Sequence, residues 1–385
     1  MEKVFVIADS IVSPLGFTTK ENFDALCQGL SSVESHDDAA KSDTHFVASL
    51  FEDETLRPKI TRGISAFTKF EKLLALSIGG ALKQTSIDAS DSRTALIVSS
   101  TKGNISLLED NEITDELKEQ ISLSSSAKKI TELFGITTKP VIVSHACISG
   151  LVAMITAKRM LQAGLYESVI VAGADIITKF ILSGFQSFQA VSDELCKPFD
   201  KNRTGINLGE AAATVVLSVH KPQNETVIHF AGGSISNDAN HISGPSRTGE
   251  ELFQAIDEAL KESGINKNEI GFISAHGTAT MYNDDMESKA ITLAGLQNVP
   301  VNSLKGYYGH TLGAAGLLEV VISIQSLKES KIIPTKGFST AGTAQPINVC
   351  STLQHSGKKA FLKTASGFGG CNAAVVMEKA TCPGI

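Results

Sequence analysis

Apolar residues recur along this chain in two alternating patterns. Short runs of β-branched and apolar residues predict buried strands, and longer runs with an apolar residue every three or four positions predict helices that pack on them. In the stretch 141–175, the run VIV precedes a helical pattern over 148–165, and VIVAGAD then begins a second strand. Strands that alternate with helices in this way are typical of an α/β protein.

The same alternation continues to the end of the chain. We expect two similar βαβ-built halves, 1–222 and 223–385, joined by the polar segment HKPQNE at 220–225. An apolar helix in each half begins alike, with CISGLVAMI from Cys147 and GAAGLLEVV from Gly313. This echo indicates internal duplication.

Composition and charge narrow the possible functions of the 385-residue chain. A net charge of -7 argues against broad nucleic-acid binding. The sequence contains no apolar run long enough to span a bilayer, and its opening MEKVFVIADS is typical of a first strand rather than a signal peptide. Six scattered cysteines without CxxC spacing favour reduced thiols, so we expect a cytoplasmic protein.

Cys147 lies where a predicted strand gives way to a helix. Free backbone N–H groups and the positive end of the helix dipole favour a thiolate at such a position. The small neighbours Ala146, Ser149 and Gly150 leave room for a substrate. The alternative is a buried cysteine that acts only as a small apolar residue.

Two histidines and a glycine-rich turn extend this pattern. His276 ends a strand within SAHGTAT, and His310 closes KGYYGH before the second apolar helix. Ligands of open α/β sheets bind at such strand ends, although each histidine alone also fits a structural role. The turn SGFGG at 366–370 brings backbone N–H groups close together, and with the N–H of Cys147 it would form an oxyanion hole, unless it is an ordinary hairpin turn.

Taken together and in order, the motifs resemble those of β-ketoacyl-acyl-carrier-protein synthases of the elongating type, in the thiolase superfamily. They are ACxSG around Cys147, HGTxT from His276, NSxKxxxGHxxGAAG from Asn302 and GFGG from Gly367. The resemblance covers essentially the whole chain. It implies a thiolase-like fold in which two similar halves form a layered α-β-α-β-α sandwich.

The resemblance also implies a decarboxylative Claisen condensation with malonyl-carrier protein and a role for each matching residue. Cys147 would carry the acyl group, while His276 and His310 would support decarboxylation and stabilise the enolate. The other implied roles are a buried ion pair that orients His310 (Lys305, Glu319), hydroxyls that hold the phosphopantetheine arm (Thr278, Thr280), a gating phenylalanine (Phe368) and basic contacts to the carrier protein (Arg57, Lys59, Arg62).

The family's partners follow from the same resemblance. We expect acyl carrier protein as substrate carrier, no cofactor or metal of the enzyme's own, and a homodimer or a heterodimer with a chain-length factor. The acyl pocket would lie near the subunit interface, lined by Phe185, Phe188 and residues of 104–134.

Three related kinds of protein are alternatives. A non-catalytic chain-length factor usually lacks the nucleophile that Cys147 supplies here. A degradative thiolase needs a second catalytic cysteine, whereas Cys371 follows GFGG as a packing residue, and an initiating synthase needs an asparagine that Asn302 does not provide.

Several departures resemble the synthases of aryl-polyene and flexirubin-type pigments rather than housekeeping enzymes. They are a bulky residue before the nucleophile (His145), an altered loop (206–210) and unusual residues beside the histidines (Tyr307, Tyr308, 281–283). A metal pair of His145 with Cys147 would have too few ligands.

Overall fold

The computed structural model of the protein describes residues 2–109, 111–223, 226–239 and 243–381. Two residues of the predicted linker, Asn224 and Glu225, lie outside these ranges, as does Cys382. Within them, no helix combines the length and apolar character needed to cross a membrane. Cys27, Cys147, Cys196, Cys350 and Cys371 are free thiols, as expected from their scattered spacing.

The secondary structure follows the alternation predicted from the sequence. The strands are β1 (Phe5–Val12), β2 (Val33–His36), β3 (Phe46–Ser49), β4 (Thr94–Ser99), β5 (Val141–Val143), β6 (Ser168–Asp175), β7 (Leu208–Gly209), β8 (Ala211–Ser218), β9 (Thr226–Asn237), β10 (Ile270–Ser274), β11 (Val301–Asn302), β12 (Lys331–Ile332), β13 (Gln354–His355), β14 (Ala360–Gly367) and β15 (Cys371–Thr381). The helices are α1 (Thr19–Cys27), α2 (Asp53–Leu56), α3 (Lys69–Leu82), α4 (Asp115–Ile121), α5 (Leu123–Phe134), α6 (Ser149–Gln162), α7 (Lys179–Ser187), α8 (Glu250–Ser263), α9 (Met281–Leu293), α10 (Lys305–Tyr308) and α11 (Ala315–Glu329).

Helix α3 begins at Lys69, because Thr68 and Glu71 form a capping box at its N-terminus.

Ten of the strands form a sheet in the order β11-β10-β14-β15-β9-β1-β8-β6-β4-β5. From β1 outward, β8 pairs antiparallel with β1 and β6 pairs antiparallel with β8. Strand β4 then pairs parallel with β6, and β5 pairs parallel with β4. From β9 outward, β15 pairs antiparallel with β9 and β14 pairs antiparallel with β15. Strand β10 then pairs parallel with β14, and β11 pairs parallel with β10. The chain therefore builds the same five-strand pattern twice, which supports the duplication inferred from the two helix starts.

The two five-strand groups are continuous, whereas the sequence predicted two separate sheets. Antiparallel pairing of β1 with β9, at Phe5 with His229 and Val6 with Ile228, joins them. The two edge strands meet because pairing satisfies backbone groups that would otherwise remain open.

Helices cover both faces of each five-strand group. The central helices α6 and α11 pack on each other and contact strands of both groups, while α3 covers the outer face of the first group and α8 and α9 cover that of the second. The result is the expected α-β-α-β-α layering. Because α6 and α11 are the central layer, the loops that lead into them, at Cys147 and at His310, approach each other.

Candidate active site

Cys147 lies in a strained turn between β5 and α6. Ala146 adopts a φ of 45°, in the left-handed region that residues with a Cβ rarely occupy. Ser149 Oγ accepts a hydrogen bond from the His145 N–H (2.7 Å) and donates one to the Ala146 carbonyl (2.6 Å). No side chain caps the N-terminus of α6. The turn thus fixes the thiol at the start of the helix.

The protonation state of this thiol differs from the sequence expectation. Burial raises the pKa of Cys147 to about 12, and although the charge of Lys305 and the backbone N–H of Phe368 lower it, burial prevails. The helix start therefore does not by itself produce a thiolate. The sulfur has to lose its proton to a neighbouring base as it attacks.

His276 follows strand β10 and His310 follows the short helix α10, and their side chains reach the same space. Their rings lie edge to face, with centroids 5.1 Å apart. Cys147 Sγ and one ring nitrogen of each histidine all lie within 4.8 Å of one another. The structure thus brings together three residues that are far apart in the sequence.

Backbone hydrogen bonds position both histidines. The N–H groups of His276 and Gly277 donate to the two carboxylate oxygens of Glu287, at 2.8 and 2.6 Å. The His310 N–H donates to the Asn207 carbonyl (2.7 Å), and its own carbonyl accepts from the Gly209 N–H (3.0 Å). The loop 206–210, singled out in the sequence as unusual, therefore fixes His310.

Both imidazoles are neutral in this environment. Burial lowers the pKa of His276 and of His310 well below the ordinary value, and the positive charges of Lys305 and Lys363 lower it further. Among the described residues, neither ring nitrogen of His310 has a hydrogen-bond partner. Both rings are therefore free to exchange hydrogen bonds and protons with a substrate.

The predicted ion pair lies behind the histidines. Lys305 and Glu319 are buried and joined through Lys305 Nζ and Glu319 Oε1. The pair was expected to orient His310 but makes no hydrogen bond to the ring within the described residues. Its effect on His310 is therefore electrostatic.

Phe368 separates two cavities that share Cys147. One contains both histidines, Thr278 and Thr280, whose hydroxyl oxygens are 2.8 Å apart. The other, of about 970 Å³, is lined mainly by apolar side chains and opens beside α7. The Phe368 ring stacks on Phe185 at 5.7 Å and meets Phe188 edge-on at 5.3 Å. Of the 104–134 stretch expected to line the second cavity, Glu109 does so.

The glycine-rich turn lies against the nucleophile. A Cβ on Gly367 would lie 3.0 Å from the Cys147 backbone N and 3.1 Å from Cys371 Sγ. Glycine is thus needed at this position for the turn to approach the nucleophile so closely. Cys371 is buried and packs here, with Sγ 3.3 Å from the Phe368 carbonyl.

Other predicted residues lie outside this group. Arg57, Lys59 and Arg62 are exposed on a surface segment, where Lys59 Nζ lies 4.9 Å from the centre of the Phe17 ring. His145 is exposed and contributes no atom to the sulfur and imidazole group.

Three buried charged residues near the site were not assigned roles from the sequence. Asp175, at the end of β6, accepts hydrogen bonds from the loop after β4 and from the Gly313 N–H (2.7 Å). It therefore links the segment that follows His310 to the first half of the chain. Glu287 holds the His276 loop, and Lys363 contacts Glu319. A lysine or aspartate inside an apolar strand was the available signal, because such charges are rarely buried without a function.

Comparison with known proteins identifies the family. Residues 1–222 match the β-ketoacyl synthase N-terminal domain, and residues 228–339 match the C-terminal domain. The chain belongs to the β-ketoacyl synthase family. It is 26% identical to the 3-oxoacyl-(acyl-carrier-protein) synthase 2 of Vibrio harveyi over 98% of both chains.

Solved structures show the same fold. A ketosynthase from Xenorhabdus doucetiae in complex with its chain length factor has a TM-score of 0.85 and 24% identity, covering 98% of both chains. A type II polyketide ketosynthase complex with its acyl-carrier protein has a TM-score of 0.84 and 20% identity, covering 98% of this chain and 99% of that one. The synthase described here is an acyltransferase of the 3-oxoacyl synthase type, and the non-catalytic chain-length factor is not favoured.

Proposed function

We propose that Cys147 forms an acyl-enzyme and that His276 and His310 drive its condensation with malonyl-carrier protein. The observation that carries this assignment is the meeting of one thiol and two neutral imidazoles within 4.8 Å, at the junction of two cavities.

In the first half-reaction, Cys147 Sγ attacks the carbonyl carbon of an acyl thioester. A neutral imidazole takes the thiol proton, because the buried thiol does not ionise alone. The developing oxyanion accepts hydrogen bonds from the N–H groups of Cys147 and Phe368. The carrier's C–S bond then breaks, and its sulfur leaves with that proton as a thiol.

In the second half-reaction, the malonyl thioester loses carbon dioxide and leaves an enolate. Imidazole N–H groups of His276 and His310 donate to the thioester oxygen as it becomes negative, which requires each ring to carry a proton on the nitrogen that faces this oxygen. The enolate carbon attacks the acyl carbon on Cys147. The new C–C bond forms, the acyl C–S bond breaks and Cys147 leaves as a thiolate, which takes a proton from solvent.

The two cavities give each substrate its own place. The apolar cavity beside α7 accommodates the acyl chain, and the cavity with Thr278 and Thr280 accommodates the phosphopantetheine arm, which hydroxyls can bind by hydrogen bonds. Phe368 lies between them as the gate. The carrier's own arm then supplies the only prosthetic group, and no cofactor or metal of the enzyme takes part.

The proposed partner is an acidic acyl carrier protein, which Arg57, Lys59 and Arg62 would contact. Exposed lysine and arginine side chains attract an acidic partner and speed its binding. The chain pairs either with a second copy or with a chain-length factor. The solved complexes with a chain length factor and with an acyl-carrier protein support both kinds of partner. The boundary at 222/223, the cytoplasmic location and the pigment subclass stay predictions.

Intact-mass measurement tests the nucleophile. Incubation with acyl-carrier-protein thioesters of several chain lengths is expected to add one acyl group to the wild-type chain and none to Cys147→Ala. Cys27→Ala, which removes a half-buried thiol elsewhere, serves as the control and is expected to load normally. Acylation that persists in Cys147→Ala would assign the nucleophile to another residue.

A further inference from the structure

Lys363 is a fully buried lysine in the middle of β14. Alternate residues of a strand point to the same face, and Lys363 shares its face with Phe361 and Ala365, both members of the central apolar cluster. Isolated charges are very costly in such a place. A lysine is therefore retained here only where specific partners compensate its charge.

The Lys363 ammonium has two partners beside the active site. Its Nζ lies 2.6 Å from Glu319 Oε2, on the carboxylate that also pairs with Lys305. It donates a hydrogen bond of 3.0 Å to the carbonyl of Ala275, the residue before His276. Lys363 therefore links the peptide that carries one histidine to the ion pair behind the other.

The next residue of β14 contacts the same loop from the opposite face. Thr364 Oγ1 donates to Glu287 Oε1 (3.0 Å), the oxygen that accepts the His276 N–H. The peptide before His276 is thus held at its carbonyl by Lys363 and at its N–H by Glu287. Two hydrogen bonds on one peptide fix its rotation and, with it, the direction of the His276 side chain.

We propose that Lys363 is a positioning residue for the condensation step. Its ammonium group clamps the Ala275–His276 peptide to Glu319, and its positive charge keeps both imidazoles neutral. This inference rests on the proposed function. It assigns Lys363 to the half-reaction in which the N–H groups of both histidines act. Loading of Cys147 needs only one imidazole as its base, and His310, whose ring makes no hydrogen bond to Lys363 within the described residues, can supply it.

The charge balance around the rings supports this role. Among the described residues, the titratable groups near the rings include Cys147 beside α6, Asp284 and Glu287 on α9, Lys305 on α10, Glu319 on α11, Lys363 on β14 and Asp238, which lines the same cavity. Glu319 pairs with both Lys305 and Lys363, and the positive charges of these two ammonium groups lower the pKa of both imidazoles. A second positive charge on either ring is thereby disfavoured.

The variant Lys363→Met tests the contribution of the Lys363 ammonium group to condensation. Methionine keeps most of the side-chain volume, and Glu319 retains Lys305 as its partner, so no buried carboxylate is left unpaired. We expect a folded enzyme that loads Cys147 within about threefold of the wild-type rate but condenses roughly 10- to 100-fold more slowly, the cost of a misaligned catalytic group. The acid limb of the kcat profile should move to higher pH, because losing a positive neighbour makes the imidazoles easier to protonate.

The matched control is Lys359→Met, the same exchange at an exposed residue just before β14, which should leave loading, condensation and pH profile unchanged. An equal loss of loading and condensation in Lys363→Met, or an unshifted acid limb, would overturn the proposal. If Lys363→Met does not fold, Lys363→Gln, an uncharged hydrogen-bond donor, is measured by the same criteria. A wild-type chain that fails to load or condense would instead contradict the proposed function.

Discussion

At the scale of single residues, the site depends on burial to set protonation. His276 is 3% exposed and His310 is 1% exposed, and the positive charges of Lys305 and Lys363 add to the effect of burial by lowering the pKa of both rings. An imidazole in such a place remains neutral at physiological pH. The same burial keeps the Cys147 thiol protonated until substrate arrives. Before the reaction, the site therefore holds a protonated thiol as the acid and a neutral imidazole as the base.

This neutrality predicts a pH-dependent stability. In the unfolded chain both histidines gain a proton as pH falls through about 6.5, whereas in the folded chain they do not, so the lowered folded pKa makes stability fall as pH decreases. Between pH 7.5 and 5.5 each histidine should cost up to about 1.4 kcal/mol of unfolding free energy. Urea denaturation at the two pH values measures this loss.

The control for that experiment is the double variant His276→Asn/His310→Asn, which keeps polar side chains at both positions but removes both titrating groups. Its free energy of unfolding should fall less over the same pH range. An equal loss in the double variant would mean that other groups, such as buried carboxylates, cause the pH dependence.

At the scale of elements, close approach of α6 and α11 places the nucleophile beside the His310 loop. The contact is reciprocal: a Cβ on Gly150 would lie 2.8 Å from the Leu317 backbone N, and one on Gly316 would lie 2.9 Å from Leu151 Cγ. Each helix thus presents a glycine to the leucine that follows the other's glycine. The repeated GL in CISGL and GAAGL is the sequence form of this contact.

Gly150→Ala is predicted to destabilise the protein by about 1–3 kcal/mol, because the added methyl group meets backbone rather than a movable side chain. It should also slow acyl loading, since α6 carries Cys147 at its start. Denaturant unfolding and intact-mass kinetics measure the two effects.

Gly79→Ala in α3 is the matched control. It lies inside a helix with the nearest atom, on Phe134, at 3.8 Å, so the exchange should be neutral or stabilise by about 0.4–1 kcal/mol. Similar effects of the two substitutions would show that helix propensity, and not the contact between α6 and α11, determines the result.

At the scale of the whole molecule, the two edge strands of the ten-strand sheet differ in whether another segment of the chain covers them. At β11, Val301 exchanges hydrogen bonds with Asn348 and Cys350, so the segment 348–350 covers that edge. Strand β5 ends the sheet at the other side and is followed by the exposed residues Ser144 and His145. Exposed Phe180 and Phe188, which line a cavity together with Ser144, provide apolar surface of the kind that subunit interfaces bury. An open edge with such residues favours pairing with another chain.

The purified chain is therefore expected to form a dimer of twice 40.7 kDa in sedimentation or light scattering. Ser144→Arg with His145→Glu should weaken it by adding charge beside β5, whereas Asn268→Arg, an exposed residue before β10, should not. A chain of 40.7 kDa that condenses substrates alone would contradict this assembly. A monomer that becomes active only with a second subunit would select the heterodimer.

The amino-acid sequence by itself determined the alternation of strands and helices, the duplication and the motif residues, because apolar period and glycine placement are local properties. Cys147, His276 and His310 were found this way, since each lies in a recognisable motif at the end of a predicted strand or the start of a predicted helix. Sequence proximity could not show that the two sheets join through β1 and β9, that burial keeps Cys147 protonated, or that Lys363 shares Glu319 with Lys305. Those features depend on which side chains the folded layers bring together and how completely they exclude water, and only the tertiary structure decides both.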